Sequence, residues 1–245
     1  MTSVLPLDRP NGETYVGAEL ELFANAVHWK SYVHQQIAPY LGPRVLEVGA
    51  GIGTTTLAQC KQAHEHWLCL EPDREQVKQI EARIASGELP QCCQTLAGFV
   101  SDLPVDDRYH SLLYMDVLEH IEHDAAEAAR AAEHLLPGGY LIALAPAHQF
   151  LYSPFDRAIG HFRRYTRRSL KGAIPTRLKQ VSLRYLDSVG LCASLANRLL
   201  LKQSMPTAKQ IAIWDNYFVR TSRYLDPLLA YSLGKSVLGI WQKPE

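Results

Sequence analysis

The chain has 245 residues, enough for one substantial domain, and its 25 Lys plus Arg balance its 25 Asp plus Glu. Neutral balance gives no general attraction to polyanions and argues against a nucleic-acid partner. Five cysteines without Cys-x-x-Cys spacing point to free thiols in a reducing, cytoplasmic setting.

The N-terminus lacks a basic segment followed by an apolar core, so no signal peptide is expected. The longest apolar-rich stretch, Val189 to Leu201, is cut by Asn197 and Arg198 and is too short to span a bilayer. Met1–Gly17, with Pro6, Pro10 and Gly12, reads as an irregular lead-in. Glu19–Ile37 reads as one amphipathic helix, apolar at Leu20, Phe23 and Val27 and aromatic at Trp29 and Tyr32.

Strand and helix signals then alternate. Arg44–Val48 is followed by a helix over Thr54–Ala63, and Trp67–Leu70 by a helix over Arg74–Ala85. Gln91–Leu96 and Ser111–Met115 are further strands. An Ala-rich helix over Ile121–Leu136 is closed by Pro137-Gly138-Gly139, and Tyr140–Ala145 is the fifth strand. Lys179–Tyr185 and Ser236–Trp241 read as the last two strands, an antiparallel edge pair. Leu186–Lys202 and Ala208–Tyr231 read as helices parted by Pro206. The alternation predicts an α/β, Rossmann-like, doubly wound and mostly parallel seven-stranded sheet with an antiparallel last strand, plus an N-terminal helix and helical additions. One domain is expected over 1–245: a lead-in over 1–42, a cofactor-binding core over 43–146, and a cap with closing elements over 147–245.

The most informative run is Val45-Leu46-Glu47-Val48-Gly49-Ala50-Gly51-Ile52-Gly53, a buried strand breaking into a glycine-rich turn before a helix. Glycines there permit positive φ and close approach of a ligand. The next strand ends in Glu71, eighteen residues after Gly53, where a carboxylate suits the two hydroxyls of a ribose. A dinucleotide would need G-x-G-x-x-G spacing, which is absent, and Glu47 inside the turn would repel a pyrophosphate.

Three motifs in order then resemble class I S-adenosylmethionine-dependent methyltransferases: Glu47–Gly53, Tyr114-Met115-Asp116-Val117-Leu118-Glu119-His120-Ile121, and Leu135-Leu136-Pro137-Gly138-Gly139-Tyr140. The resemblance implies S-adenosyl-L-methionine as cofactor, held by Glu47, Gly49, Gly51, Gly53, Glu71, Pro72, Gly98, Phe99, Asp116 and Val117. Glu71 would take the ribose, Asp116 the amino-acid end, and Gly98-Phe99-Val100 would flank adenine. Phe99 replaces the acid or Thr common after that glycine, and Asp102 is a second candidate for that region.

Asp116-x-x-Glu119-His120 is similar to the Glu-x-x-Glu-His metal site of ubiquinone-biosynthesis and small-RNA O-methyltransferases, with Asp in the first position. Metal-assisted O-methylation through these three residues is therefore an alternative to a structural strand-to-helix junction.

The segment after the fifth strand, Phe150 to Tyr165, is too polar for a core strand and too rich in His, Arg and aromatics for a linker. It is expected to cap the site. Its Gly160-His161-Phe162-Arg163-Arg164-Tyr165 string resembles a bacterial small-molecule subgroup linked with glycan or secondary-metabolite assembly. His161 is the first candidate base, followed by His148 and Asp156, an Asp–His pair being able to orient the imidazole. The same pair could merely pin the loop. Arg163 and Arg164 are candidates for an anionic substrate group, or for internal ion pairs ahead of Thr166, a helix N-cap. Tyr152, Tyr165, Trp29 and Tyr32 are candidate pocket walls. The extra C-terminal apolar residues, among them Leu195, Leu199, Leu200, Ile211, Ile213, Trp214 and Phe218, could cap the pocket, form a homodimer face or touch a membrane.

The expected activity is O-methylation of a hydroxyl on a small-molecule acceptor. N-methylation, the metal-assisted route and a non-catalytic S-adenosylmethionine-binding assembly protein are the alternatives. A nicotinamide enzyme is the remaining rival.

Overall fold

The computed structural model describes residues 18–196 and 207–245. The irregular lead-in, Leu199, Leu200, Pro206 and the expected helix end at Lys202 lie outside them. Seven strands form one sheet: β1 (Arg44–Val48), β2 (His66–Glu71), β3 (Cys93–Ala97), β4 (Tyr109–Met115), β5 (Leu135–Pro146), β6 (Lys179–Leu186) and β7 (Ser236–Gln242). Their order is β3-β2-β1-β4-β5-β7-β6. β1 to β5 run parallel, and β7 runs antiparallel to both β5 and β6. This is the doubly wound sheet the alternation predicts.

Alternation along each strand divides the core between the two faces. Leu46, Leu68, Leu112 and Tyr114 pack on one face with Ala128, Ala131 and Ala132 of α5 (Asp124–Glu133) and with Leu170 of α7 (Arg167–Ala173). Val45, Trp67, Leu113 and Ile142 pack on the other with Val33 and Ile37 of α2 (Val27–Ile37) and Ile80 of α4 (Arg74–Ala85). Ile211 of α9 (Ala208–Ile213) and Trp214 join that second face.

The helix after the glycine turn ends at Gln59 and not at Ala63, and three larger differences have local or remote causes. The N-terminal helix is split into α1 (Ala18–Ala24) and α2. No side chain at Ala26 caps α2; the backbone N–H groups of His28 and Trp29 instead donate to the Asp215 carboxylate at 3.0 and 2.8 Å. A remote cap of this kind leaves no local signal. α5 begins at Asp124, because Leu118–His120 forms a short 3-10 turn. β5 begins at Leu135, ahead of Pro137-Gly138-Gly139, which breaks register between Tyr109 and Ser111 of β4 instead of ending a helix. Gly138, at φ +75°, makes that bulge passable.

Among the described residues no helix is long and apolar enough to cross a membrane. After α8 (Ser188–Ala196), the C-terminal helical expectation resolves into α9, a π-helical stretch over Trp214–Val219, and α10 (Arg220–Leu228). Buried acids bind this addition to the sheet. Asp226 accepts from the Tyr32 hydroxyl and from the Asp187 and Ser188 amides. Asp187 accepts from Trp214 Nε1, the Ser222 hydroxyl and the Gly190 amide.

Candidate active site

The carboxyl ends of the parallel strands form one edge, where open α/β sheets bind ligands. Gly49, Gly51 and Gly53 all have positive φ, at 69°, 57° and 79°. A Cβ on Gly49 would lie 2.6 Å from Val117, so the turn after β1 fits against the loop after β4 only as glycine. Gly53 is the N-cap of α3 (Thr54–Gln59). Over Gly51 the nearest side chain is Leu20 of α1, at 3.6 Å from an added Cβ. The N-terminal helix therefore roofs the glycine turn.

Two carboxylates brace that turn. Glu47 is buried and accepts at Oε2 from Thr56 Oγ1 and Trp67 Nε1, at 2.7 and 2.8 Å. Burial pushes its carboxyl up to about 7 against these two hydrogen bonds, and its Oε1 has no partner. Glu71 ends β2 and accepts from the Gly51 amide at 2.8 Å and the Asp73 amide at 3.0 Å, one on each oxygen. Each of those oxygens keeps a second lone pair. Burial raises the Glu71 carboxyl, and the two amides pull it back.

At the end of β3, Gly98 lies against Asp102, whose Oδ2 accepts from the Phe99 amide at 2.8 Å. Asp102 is thus spent on the turn. The Phe99 side chain is exposed and offers an apolar face. Pro72 follows Glu71 in the bend that leads to α4.

Asp116 ends β4 with φ +56°, a left-handed conformation that Asp tolerates better than most residues. It is exposed. Desolvation by neighbouring groups raises its carboxyl to about 6, while His161, Lys235 and Arg164 act to lower it. Three residues on, Glu119 is fully buried, and neither of its carboxylate oxygens has a hydrogen-bond partner. Its pKa is driven well up by burial and by Asp116. His120 stands beside it in the same turn, its ring edge-on to that of His161 at 4.5 Å.

The segment after β5 folds over this floor. α6 (Pro154–Ala158) starts at Ser153, whose amide and hydroxyl both donate to Asp156 Oδ2 at 2.8 Å. Asp156 is fully buried and also accepts from Arg164 at 2.8 and 3.0 Å and from His161 Nδ1 at 2.9 Å. Burial alone would raise its carboxyl; the bonds from His161, Arg164 and Ser153 outweigh it and hold the group well below the usual carboxylate range. With Nδ1 on Asp156, His161 turns Nε2 toward Glu119 Oε1, 3.9 Å away. The Tyr152 hydroxyl donates to the His161 carbonyl at 2.6 Å, and the Phe162 amide to the Glu119 carbonyl at 2.8 Å. Cap and strand end are thereby one unit.

Several expected site residues are engaged elsewhere. Tyr32 is buried with its hydroxyl on Asp226, and Tyr165 is buried with its hydroxyl on the Leu118 carbonyl and Asp124, so both are core rather than pocket wall. Arg164 is consumed by Asp156, and Arg163 by Asp124 at 2.7 Å and the Glu122 carbonyl. His148 binds the Gly234 carbonyl through Nε2, and its ring lies against those of Phe150 and Tyr185. Trp29 is half-buried against Trp214, where an aromatic wall with Phe23 forms.

Lys235 is a residue that the sequence reading missed. Its Nζ lies 4.9 Å from the centre of the Trp214 ring, and it interacts with Asp187, Asp116 and Asp156. Burial lowers its pKa. Because β7 is antiparallel, its first residues enter the sheet at the carboxyl edge, with Ser236 opposite Pro146. Only the strand direction reveals this position.

Residues 45–139 match the family described as "Methyltransferase domain". The chain carries a methyltransferase domain. The protein is accordingly an S-adenosylmethionine-dependent methyltransferase. No curated protein matches the methyltransferase in sequence. Solved structures share its fold. One is described as the [4+2]-cyclase SpnF, at 15% identity over 94% of this chain and 96% of that one, with a TM-score of 0.62. A geranyl diphosphate methyltransferase in complex with SAM has 12% identity over 96% and 93%, also at 0.62. The N-methyltransferase NodS from Bradyrhizobium japonicum WM9, in complex with S-adenosyl-l-homocysteine, has 12% identity over 89% and 86%, at 0.55. At these identities the likeness concerns the fold, which hosts different reactions.

Proposed function

We propose that the methyltransferase transfers a methyl group to a hydroxyl of a small-molecule acceptor, with His161 as general base and Asp156 orienting it. The observation that carries this reading is the Asp156–His161 pair, whose free imidazole nitrogen points to the strand end that bears Asp116 and Glu119. When bound, S-adenosylmethionine supplies a methyl group already activated on a sulfonium. What remains for the protein is to align the acceptor and remove its proton. Gly49, Gly51 and Gly53 would hold the cofactor against the turn, Glu71 its ribose, Asp116 its amino-acid end, and Phe99 would lie against adenine. A neutral His161 that donates through Nδ1 to Asp156 has Nε2 free to take a proton, and the buried carboxylate stabilises the imidazolium that results. Trp29, Phe23 and Trp214 offer an apolar wall for an acceptor. The test is turnover of labelled cofactor on a panel of phenols, sugars, carboxylates and amines, with mass spectrometry locating the methyl group. Methyl found on nitrogen would displace the hydroxyl reading.

A second reading is favoured by Glu119. A fully buried carboxylate with two unpartnered oxygens is costly unless it is protonated or meets a cation. Ligand atoms of Glu119, His120 and His161 all lie within 4.8 Å of one another. These three would hold a divalent cation, with Asp156 behind His161 as the carboxylate that orients a ligating imidazole. A cation there would lower the pKa of an acceptor hydroxyl. The expected set of Asp116, Glu119 and His120 is then modified: His161 takes the place of Asp116.

A further inference from the structure

The π-helical stretch and α10 sort their side chains sharply between two sides. Inward go Trp214, Asp215, Val219, Ser222 and Asp226, all buried. Outward go large apolar residues: of the fourteen exposed ones among the described residues, seven fall between Ile213 and Leu233. Tyr224 is 73% exposed and Leu228 81%. Ile213, Tyr217, Tyr224 and Leu228 recur at helical spacing, so they form one ridge, and Leu229 and Leu233 are exposed in the turn that follows it. A concentration of this kind marks an interaction surface.

Charge identifies what the surface meets. Between Thr207 and Gly234 the exposed charged side chains are Lys209, Arg220 and Arg223, all cationic. The two acids of that span, Asp215 and Asp226, are buried and bound to backbone amides of α2 and α8 and to the Tyr32 hydroxyl. A chain of zero net charge thus carries a local cationic face. Arg220 lies between Tyr217 and Tyr224 along a shallow groove of about 380 Å³, whose other lining includes Thr221 and Asn216. Tyrosines and leucines interleaved with arginines on a helix exposed along one side are what an interfacial helix uses to enter the headgroup layer.

We propose that the outer face of α9–α10 docks on an anionic lipid bilayer. The tyrosine and leucine ridge enters the interface while Arg220, Arg223 and Lys209 meet lipid phosphates. This is independent of the acceptor's identity and of how its proton is removed.

Sedimentation with vesicles tests it. The protein is expected to partition onto phosphatidylcholine vesicles doped with phosphatidylglycerol, to leave pure phosphatidylcholine unbound, and to be released by salt. A basic side chain at an anionic surface contributes about fivefold to partitioning. The double variant Arg220→Glu/Arg223→Glu should therefore lose roughly twenty-fivefold or more. Tyr224→Ser/Leu228→Ser should also weaken binding. Both should keep the affinity for S-adenosylhomocysteine, which reports intact folding. No partition onto anionic vesicles, or partition unchanged in both variants, overturns the proposal. So does a dimer that Leu228→Ser splits without vesicle binding, which would give the face to a second copy. A loss of thermal stability in Tyr224→Ser/Leu228→Ser without vesicle binding would place the ridge against the chain itself and overturns it equally.

Discussion

His161 and Asp156 are joined through Nδ1 and Oδ1 at 2.9 Å, with the carboxylate fully buried and the imidazole nearly so. The pair does two jobs with one bond, since it fixes the cap and leaves Nε2 directed toward Glu119. Replacing His161 by Ala should lower kcat by about 10²- to 10⁴-fold, the contribution of a positioned general base. Cofactor affinity should hold. Asp156→Asn should lower kcat too, because an amide can present its N–H to Nδ1 and favour the wrong tautomer. Steady-state kinetics with calorimetry of S-adenosylhomocysteine binding checks both; an unchanged kcat in His161→Ala would return the pair to a purely structural role.

Glu71 holds the Gly51 amide with one oxygen and the Asp73 amide with the other. On the proposed reading, its removal takes away both the ribose contact and a brace for the glycine turn. Glu71→Ala should weaken S-adenosylhomocysteine binding by about 1–3 kcal/mol, the range for hydrogen bonds to a charged group. Calorimetry reads the change directly. Unaltered affinity would take the ribose away from Glu71.

Asp226 binds Tyr32 and the amides of Asp187 and Ser188, tying α10 to α2 and to the turn after β6. Asp226→Ala leaves two buried amides and a buried hydroxyl without a partner. A loss of about 3 kcal/mol or more in unfolding free energy is expected from denaturant titration, while Arg223→Ala on the exposed side of the same helix should cost about 0.5 kcal/mol or less.

The succession of strands and helices and the glycine turn were legible because both depend on local signals. Apolar runs of strand length alternate with helical periodicity, and glycine occurs where φ must be positive. What was not legible depends on distance in the chain. The break at Ala26 is set by Asp215, and the position of Lys235 by the direction of β7. Tyr32 and Tyr165 look like pocket aromatics from their neighbours in sequence, yet acids far away in the chain, Asp226 and Asp124, claim their hydroxyls. Arg164 looks like an anion receptor until Asp156 is seen to accept from Nε and one terminal nitrogen of its guanidinium with both carboxylate oxygens. The Asp116-x-x-Glu119-His120 string was visible as a metal pattern, but the approach of His161 to Glu119 needed the folded cap.

Glu119 separates the two chemical readings. Electron paramagnetic resonance of added Mn²⁺ should show binding that Glu119→Gln removes if Glu119, His120 and His161 hold a cation. Without a cation, Glu119→Gln removes a buried ionisable group that has no hydrogen bond and lies 3.9 Å from His161, and neither protein should give a Mn²⁺ signal. Activity that survives exhaustive chelation would also remove the metal reading.

Glu47 supplies a pH dependence whose sign is fixed. Burial raises its folded pKa to about 7, above that of the unfolded chain, so between the two values the folded state holds the extra proton. Stability from this group is complete below about pH 4.5 and is lost as pH rises through about 7, with an upper bound of about 3 kcal/mol. Gln in its place can still accept from Thr56 and Trp67 but does not titrate. Glu47→Gln should therefore flatten the fall in unfolding free energy between about pH 4.5 and 7. Denaturant titrations of both proteins across that window check it, and parallel slopes would show that Glu47 ionises normally despite its burial.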